Sequence, residues 1–375
     1  MKVLIGGDVI PTPTNFDLFE KSDLDALMGV ALKRMWHEAD FRIINLEAPF
    51  TDAQKPIAKL GPNLRAPKKT FPGLMAMKPS LVGLANNHVL DFGAQGLRDT
   101  MEILGSNDIS YAGAGENLGR AHKPFIFNAD DKTIGVYACA EHEFTIADKD
   151  SPGANPFDPL YSLDHISELK QKCDYVIVTY HGGKEYYRYP SPRLKEVCRK
   201  IAQKGADLVL CQHSHCIGSM ERYAGATIVY GQGNFIFAKD YVNEYLYSGL
   251  LVSLDLSAKN KIEFIPVHRE GKGIRLAEGE KGKEILEAFA QRSEEIKKEG
   301  FIEERYDEFA REMSIMYMNK MSGRRKAMIR LDNLLFKDFF IKKRYSGIHK
   351  LMLKNYIQCE AHRELVLRGL GKNKF

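Results

Sequence analysis

The chain has 375 residues, of which 44% are hydrophobic and 27% charged, with a net charge of +5. That balance belongs to a folded globular protein and excludes general disorder. No run of 18 apolar residues occurs, which argues against a transmembrane helix.

From the N-terminus, Val3-Leu4-Ile5 reads as a strand running through Gly6-Gly7 into Asp8. A chemical residue so early leaves no room for a signal peptide, and the chain reads as cytoplasmic. The loop Pro11-Thr12-Pro13-Thr14 cannot continue a central strand. A second strand, Ile43-Ile44-Asn45-Leu46, ends at Glu47. Residues 51–80 are a Pro- and Lys-rich crossing, in which Arg65 is either a bidentate phosphate clamp or a solvated arginine. The apolar run Leu81-Val82-Gly83-Leu84-Ala85 delivers Asn86-Asn87-His88. A helix with Leu97, Met101 and Leu104 on one face follows Asp91-Phe92-Gly93. Asp91 either orients His88 or caps that helix.

Asp108-Ile109-Ser110-Tyr111 reads as a strand, and the apolar runs flanking Asn128-Ala129-Asp130-Asp131-Lys132 read as a hairpin. Residues 141–172 form a long excursion opened by Glu141 and His142, which are second-rank site candidates, with a helix near Ser162. A strand over residues 175–180 ends at His181. The run Tyr186-Tyr187-Arg188-Tyr189-Pro190 then either stacks a base or sugar or packs as a loop. A helix over residues 192–204 leads to the strand 208–212, which ends at His213-Ser214-His215. Residues 227–230, 249–254 and 261–266 read as strands of one closing sheet, with Asn234 just after the first of them.

The texture changes near Gly273, and we place a domain boundary there, giving units 1–272 and 273–375. Residues 320–375 carry 15 Lys/Arg against 4 Asp/Glu, a net of +11. Phe336, Phe339, Phe340 and Ile341 stand beside Lys342-Lys343-Arg344. This is either an amphipathic membrane-surface segment or a packed helical subdomain with a solvated basic face. The six cysteines form no CxxC pair and read as reduced thiols, as in a cytosolic protein.

Five strand-like runs thus deliver Asp8, Glu47, Asn87 with His88, His181, and His213 with His215 at their C-terminal ends. Parallel strands bring such ends to one edge of a sheet, where ligands bind. A mixed oxygen and nitrogen set suits Zn, Mn or Fe better than Ca or Mg. It is large enough for two ions sharing a bridging carboxylate, the usual arrangement for displacement at phosphorus.

The ordered motifs Gly7-Asp8, Asn45-Leu46-Glu47, Leu84-Ala85-Asn86-Asn87-His88-Val89-Leu90-Asp91-Phe92-Gly93 and Gly113-Ala114-Gly115 carry a resemblance, continued further along the chain. The later motifs are His181-Gly182-Gly183-Lys184-Glu185-Tyr186, His213-Ser214-His215 and Gly231-Gln232-Gly233-Asn234-Phe235. Together they resemble the CapA (poly-gamma-glutamate synthesis protein) family, a branch of the calcineurin-like metallophosphoesterases. The resemblance implies a four-layer α/β/β/α sandwich of mixed sheets, here with a C-terminal helical extension. It implies a phosphoesterase with two divalent metal ions (Mn, Fe or Zn), one held by Asp8, Glu47 and His215, the other by Glu47, Asn87, His181 and His213. His88 would be the general acid, with Asp91 beside it, and Arg65, Asn45, Glu185 and Asn234 would contact substrate. The superfamily often has Asp-x-His at the first strand; this chain has Ile10 in place of the histidine.

The implied setting is capsule, exopolysaccharide or poly-gamma-glutamate biosynthesis, acting on a phosphorylated or anionic polymer-related substrate. The rival reading is a non-hydrolytic assembly or export factor that binds an anionic polymer. A peripheral contact with the inner face of the membrane through the basic C-terminal region is expected, and specific nucleic acid is not.

Overall fold

The structure is a computed structural model that describes residues 1–240, 242–257 and 260–372. In chain order its first strands are β1 (Lys2–Ile10), β2 (Phe41–Leu46), β3 (Leu81–Gly83), β4 (Ser110–Ala112) and β5 (Ala114–Gly115). Then come β6 (Phe125–Ala129), β7 (Lys132–Ala140), β8 (Gly153–Ala154), β9 (Tyr175–His181) and β10 (Leu208–Gln212). The last are β11 (Met220–Tyr223), β12 (Ala226–Val229), β13 (Asn234–Phe237), β14 (Ser248–Asp255), β15 (Lys261–Glu270) and β16 (Gly273–Leu276).

Two mixed sheets result. One runs β16-β15-β14-β1-β2-β3-β4, with β13 also pairing β1; the other runs β11-β12-β10-β9-β7-β6. The inner strands β1, β2, β3, β9 and β10 are joined in parallel within their sheets. β9 is buried along its whole length, as expected of a strand covered on both faces, whereas β6 alternates because it lies at an edge.

Between the sheets, Val3, Ile5, Ile43 and Val252 meet Ile134, Val136, Ile177 and Leu210. On the outer face of the first sheet, Leu4, Ile44 and Val82 pack with Trp36, Leu74 and Leu97 from flanking helices. On the outer face of the second, Val176, Val178 and Val209 pack with Ile166, Val197 and Ile201. The layers are therefore α/β/β/α. The helix Pro192–Gln203 shows the local logic. Leu194, Val197, Cys198 and Ile201 recur at helical spacing and are buried, Ser191 Oγ accepts the Leu194 N–H at 3.0 Å, and Pro192 fits the first turn.

Two expectations need correction. The strands near 227, 249 and 261 do not share a sheet, because β12 joins β10 while β14 joins β1 and β15 joins β14. The boundary near 273 also moves, since the compact units are Met1–Ile302 and Glu303–Phe375. The reason is that β16 pairs with β15, and the helix Gly279–Glu295 buries Phe289 in the inter-sheet core. Arg292 Nε also donates to Gly218 O at 2.8 Å, and the Met220 N–H reaches Ser293 Oγ at 2.9 Å.

The second unit is helical, containing Lys326–Phe336, Phe339–Arg344, Gly347–Gln358 and Glu360–Lys372. Buried Asp332 ties it together, accepting from Arg324 Nη1 at 2.6 Å and from the Phe340 and Ile341 N–H groups at 3.1 and 3.2 Å. Among the described residues no helix is long and apolar enough to cross a membrane.

Candidate metal centre

The parallel register places the ends of β1, β2 and β13 side by side, with Asp8 paired to both Asn45 and Asn234. β9 and β10 end in step, Gln212 beside His181, so His213 and His215 follow directly. His213 and His215 both lie in the left-handed region, at φ 83° and 55°. Non-glycine residues held there cost about 1–3 kcal/mol each and concentrate at functional sites.

These ends bring two groups of buried donors together. Glu47, His181 and His213 offer atoms within 4.8 Å of one another, and so do Asp8, Glu47 and His215. Glu47 belongs to both. It is fully buried, and neither carboxylate oxygen has a hydrogen-bond partner. His181 Nε2 comes within 3.2 Å of Glu47 Oε1 but outside hydrogen-bond alignment. His213 Nδ1 is likewise buried and unpartnered. A buried carboxylate with both oxygens unsatisfied is costly unless a cation meets it, so this donor set fits divalent metal.

The electrostatics follow from the crowding. Burial pushes the Asp8 carboxyl up to about 6, reinforced by Glu47. Burial also acts upward on Glu47, but His215 and His181 outweigh it and hold that carboxyl well below the usual range. His213 is held far below the ordinary imidazole value by burial and by neighbouring His181.

The amides around the donors fix them. Asn45 Nδ2 donates to Asp8 Oδ1 at 2.7 Å and lies 3.3 Å from His181 Nδ1; Asn86 Nδ2 donates to Asn45 Oδ1 at 3.2 Å. Asn87 Oδ1 is 3.1 Å from His181 Nε2. Asn234 Oδ1 pairs with His215 Nδ1 at 2.9 Å. Asn45 and Asn234, expected to contact substrate, are thus occupied in holding Asp8 and His215. Ile10 is buried on β1 and brings no donor.

His88 belongs to neither donor group. Its Nδ1 lies 2.6 Å from Asp91 Oδ2, and the Leu64 N–H reaches the same oxygen at 2.6 Å. Asp91 therefore orients His88; the helix Gly93–Gly105 has Phe92 at its N-cap and no side-chain cap. Lys59 completes the cluster. Its side chain is 3% exposed, and Nζ binds Asp91 Oδ1 and approaches His88 Nδ1 at 3.1 Å. Nothing in the loop sequence sets Lys59 apart from Lys55, Lys68 or Lys69. The buried Gln232, which donates to Ile5 O at 2.8 Å and Leu250 O at 3.0 Å, is a second residue missed.

Other candidates lie elsewhere. Arg65 donates to Ala53 O at 2.7 Å and sits over the Phe92 ring. Glu185 is half-buried in the turn after β9, with no bond to the donor groups. Glu141 accepts from Tyr180 Oη at 3.2 Å, and His142 is exposed. The aromatic run packs as a loop, with Tyr189 Oη on Glu295 at 2.6 Å, while the Tyr186 ring lies against His215.

PGA biosynthesis protein CapA of Bacillus subtilis is 28% identical over 243 residues, 62% of this chain and 62% of that protein. Capsule biosynthesis protein CapA of Bacillus anthracis is 32% identical over 181 residues, 47% of this chain and 44% of that one. The chain thus spans less than two thirds of the length of either relative. Among solved structures, a phosphatase from Mycoplasma pneumoniae superposes with a TM-score of 0.45 at 15% identity, covering 72% of this chain and 93% of that one. A putative 5'-nucleotidase from Staphylococcus aureus gives 0.43 at 16%, covering 77% and 58%. The family described as bacterial capsule synthesis protein PGA_cap matches residues 2–239, more than half of the chain, and the protein belongs to that family.

Proposed function

We propose that this protein is a metal-dependent phosphoesterase serving the synthesis of capsule or a related anionic polymer. The carrying observation is the buried carboxylate of Glu47, shared by two donor groups and bonded by neither of its oxygens. Asp8, Glu47 and His215 would hold one divalent ion, and Glu47, Asn87, His181 and His213 another. Mn, Fe or Zn suits these donors. Such a pair of ions supplies an activated water at neutral pH and neutralises phosphoryl charge.

The chain's own residues supply the rest. Asp91 occupies Nδ1 of His88, which leaves Nε2 to carry the proton to the departing oxygen. Lys59 and the Leu64 N–H hold Asp91 in turn. Asn45 and Asn234 hold Asp8 and His215 in place, where these two would serve as ligands. The substrate class we propose is a phosphorylated or anionic, polymer-related compound: the two-ion reading suggests the phosphate, and the relatives' names, PGA and capsule biosynthesis, suggest the polymer.

Those names describe synthesis and not hydrolysis, which favours a second reading: a non-hydrolytic factor that binds the growing anionic polymer. The discriminating experiment measures metal content and then hydrolysis of p-nitrophenyl phosphate and bis-p-nitrophenyl phosphate by the loaded protein. Turnover that disappears in Glu47→Gln is expected. Full metal loading with no turnover of either ester, together with polyglutamate binding, would replace hydrolysis with the second reading.

A further inference from the structure

We propose that the helical unit Glu303–Phe375 is a docking surface for anionic lipid, lying in the plane of a membrane surface. The first observation is where the exposed apolar side chains are. Among the described residues 27 large hydrophobics are exposed, and 19 of them fall between Met316 and Leu370. Scattered exposed apolar residues need no explanation, but a concentration of this kind marks an interaction surface.

The second observation is charge on the same elements. Residues 320–375 carry a net +11. The helix Phe339–Arg344 is the clearest case. Phe339 and Phe340 are half-exposed, Ile341 is buried as its anchor, and Lys342, Lys343 and Arg344 follow at once. Phe336 and Phe340 meet edge to face at 5.0 Å, forming one aromatic cluster. Phe336 and Phe340 also line a groove of about 960 Å³, together with Met328, Leu331 and Met352 and the cations Lys343 and Arg344. A groove lined by both apolar side chains and cations suits an acyl chain with its phosphate.

The third observation is length. Lys326–Phe336, Phe339–Arg344, Gly347–Gln358 and Glu360–Lys372 have 11, 6, 12 and 13 residues, and the 21-residue helix Phe301–Met321 carries Glu303, Glu304, Arg305, Asp307 and Glu308, so no described helix is both long and apolar enough to span. Crossing a bilayer takes about 20. Non-spanning helices that combine exposed Leu and Phe with Lys and Arg lie in the interface instead.

Other occupants fit less well. A polyglutamate chain would be met by the cations alone, and a nucleic acid could stack only on the aromatic rings, leaving exposed Leu331, Leu334, Leu335, Leu351 and Leu367 in water. A second copy would set two units of net +8 against each other.

The test is vesicle flotation of the full-length protein, using phosphatidylcholine vesicles with and without 30% phosphatidylglycerol, at low and high salt. Binding is expected only with the anionic lipid and is expected to weaken with salt. A cation near an anionic surface contributes about a fivefold affinity factor, so changing Lys342, Lys343 and Arg344 to Gln should weaken binding about 100-fold. Phe339→Ser with Phe340→Ser should weaken it even at low salt, which binding by charge alone would not do. Circular dichroism and metal content confirm that each variant is folded. Absence of binding to anionic vesicles at low salt, or unchanged binding in both folded variants, overturns the proposal. So does wild-type preference for polyglutamate or DNA over vesicles, or a dimer that the Phe variant abolishes without vesicle binding.

Discussion

At the residue scale, the site separates into donors and a proton carrier. Glu47 is shared by both donor groups, so Glu47→Gln should remove both ions, whereas His213→Ala should remove one. Elemental analysis after gel filtration gives the stoichiometry directly. His88 binds neither group, and His88→Ala should keep the metal while lowering turnover about 10²–10⁴-fold. Equal metal loss in that variant would show that His88 is a ligand. Lys59 acts through Asp91 and His88. Lys59→Met leaves a buried carboxylate without its cation, and loss of such a supporting partner lowers activity about 10–100-fold. We expect kcat to fall with KM little changed, metal content to be retained, and Lys59→Arg to rescue only partly because its guanidinium is larger and planar.

At the element scale, the backbone carries as much of the site as the side chains do. β1 approaches β13 so closely that a Cβ on Gly7 would sit 2.2 Å from Gly233 O. Gly7→Ala must therefore push aside the segment that presents Asn234 and, through it, His215. Lower thermal stability and weaker metal uptake should appear together, measured by calorimetry with and without added Mn. Away from the centre, the helix Pro192–Gln203 is tied to β11 by Arg199, whose guanidinium meets both oxygens of Glu221 at 2.9 and 2.6 Å. Burial pushes the Glu221 carboxyl up, but the bonds from Arg199 and Tyr230 outweigh it, and its pKa is lowered. A depressed folded-state pKa contributes stability above the ordinary carboxylate value of about 4.3, lost as pH falls through the folded value below it. Glu221→Gln should accordingly flatten the acid limb of a melting-temperature profile and lower stability at pH 7 by about 1–3 kcal/mol, the range for a partly exposed pair with charged hydrogen bonds.

At the scale of the whole molecule, the chain divides after Ile302. A chain ending at Ile302 should fold cooperatively and bind metal, since it keeps β16 and the helix Gly279–Glu295. A chain ending at residue 272 should not. It loses Phe289 from the core, which by itself corresponds to about 3–5 kcal/mol, and it leaves the edge of β15 unpaired. Limited proteolysis and calorimetry of the two truncations distinguish these outcomes.

Sequence alone determined the strand runs and the donor types, because apolar runs ending in Asp, Glu, Asn and His are local patterns, and the layered α/β class followed from the family that its ordered motifs resemble. It also determined the uneven charge, which is pure composition. Convergence of those ends was an inference from parallel pairing, and the register of β1, β2 and β13 supplies it. What only the tertiary structure decided depends on contacts between distant segments. Lys59 looks like any loop lysine until the crossing folds over Asp91. Asn45 and Asn234 become positioning groups only once Asp8 and His215 are adjacent to them. The boundary moved from 273 to 303 because helical texture begins before the core is closed, and packing, not composition, decides where a unit ends.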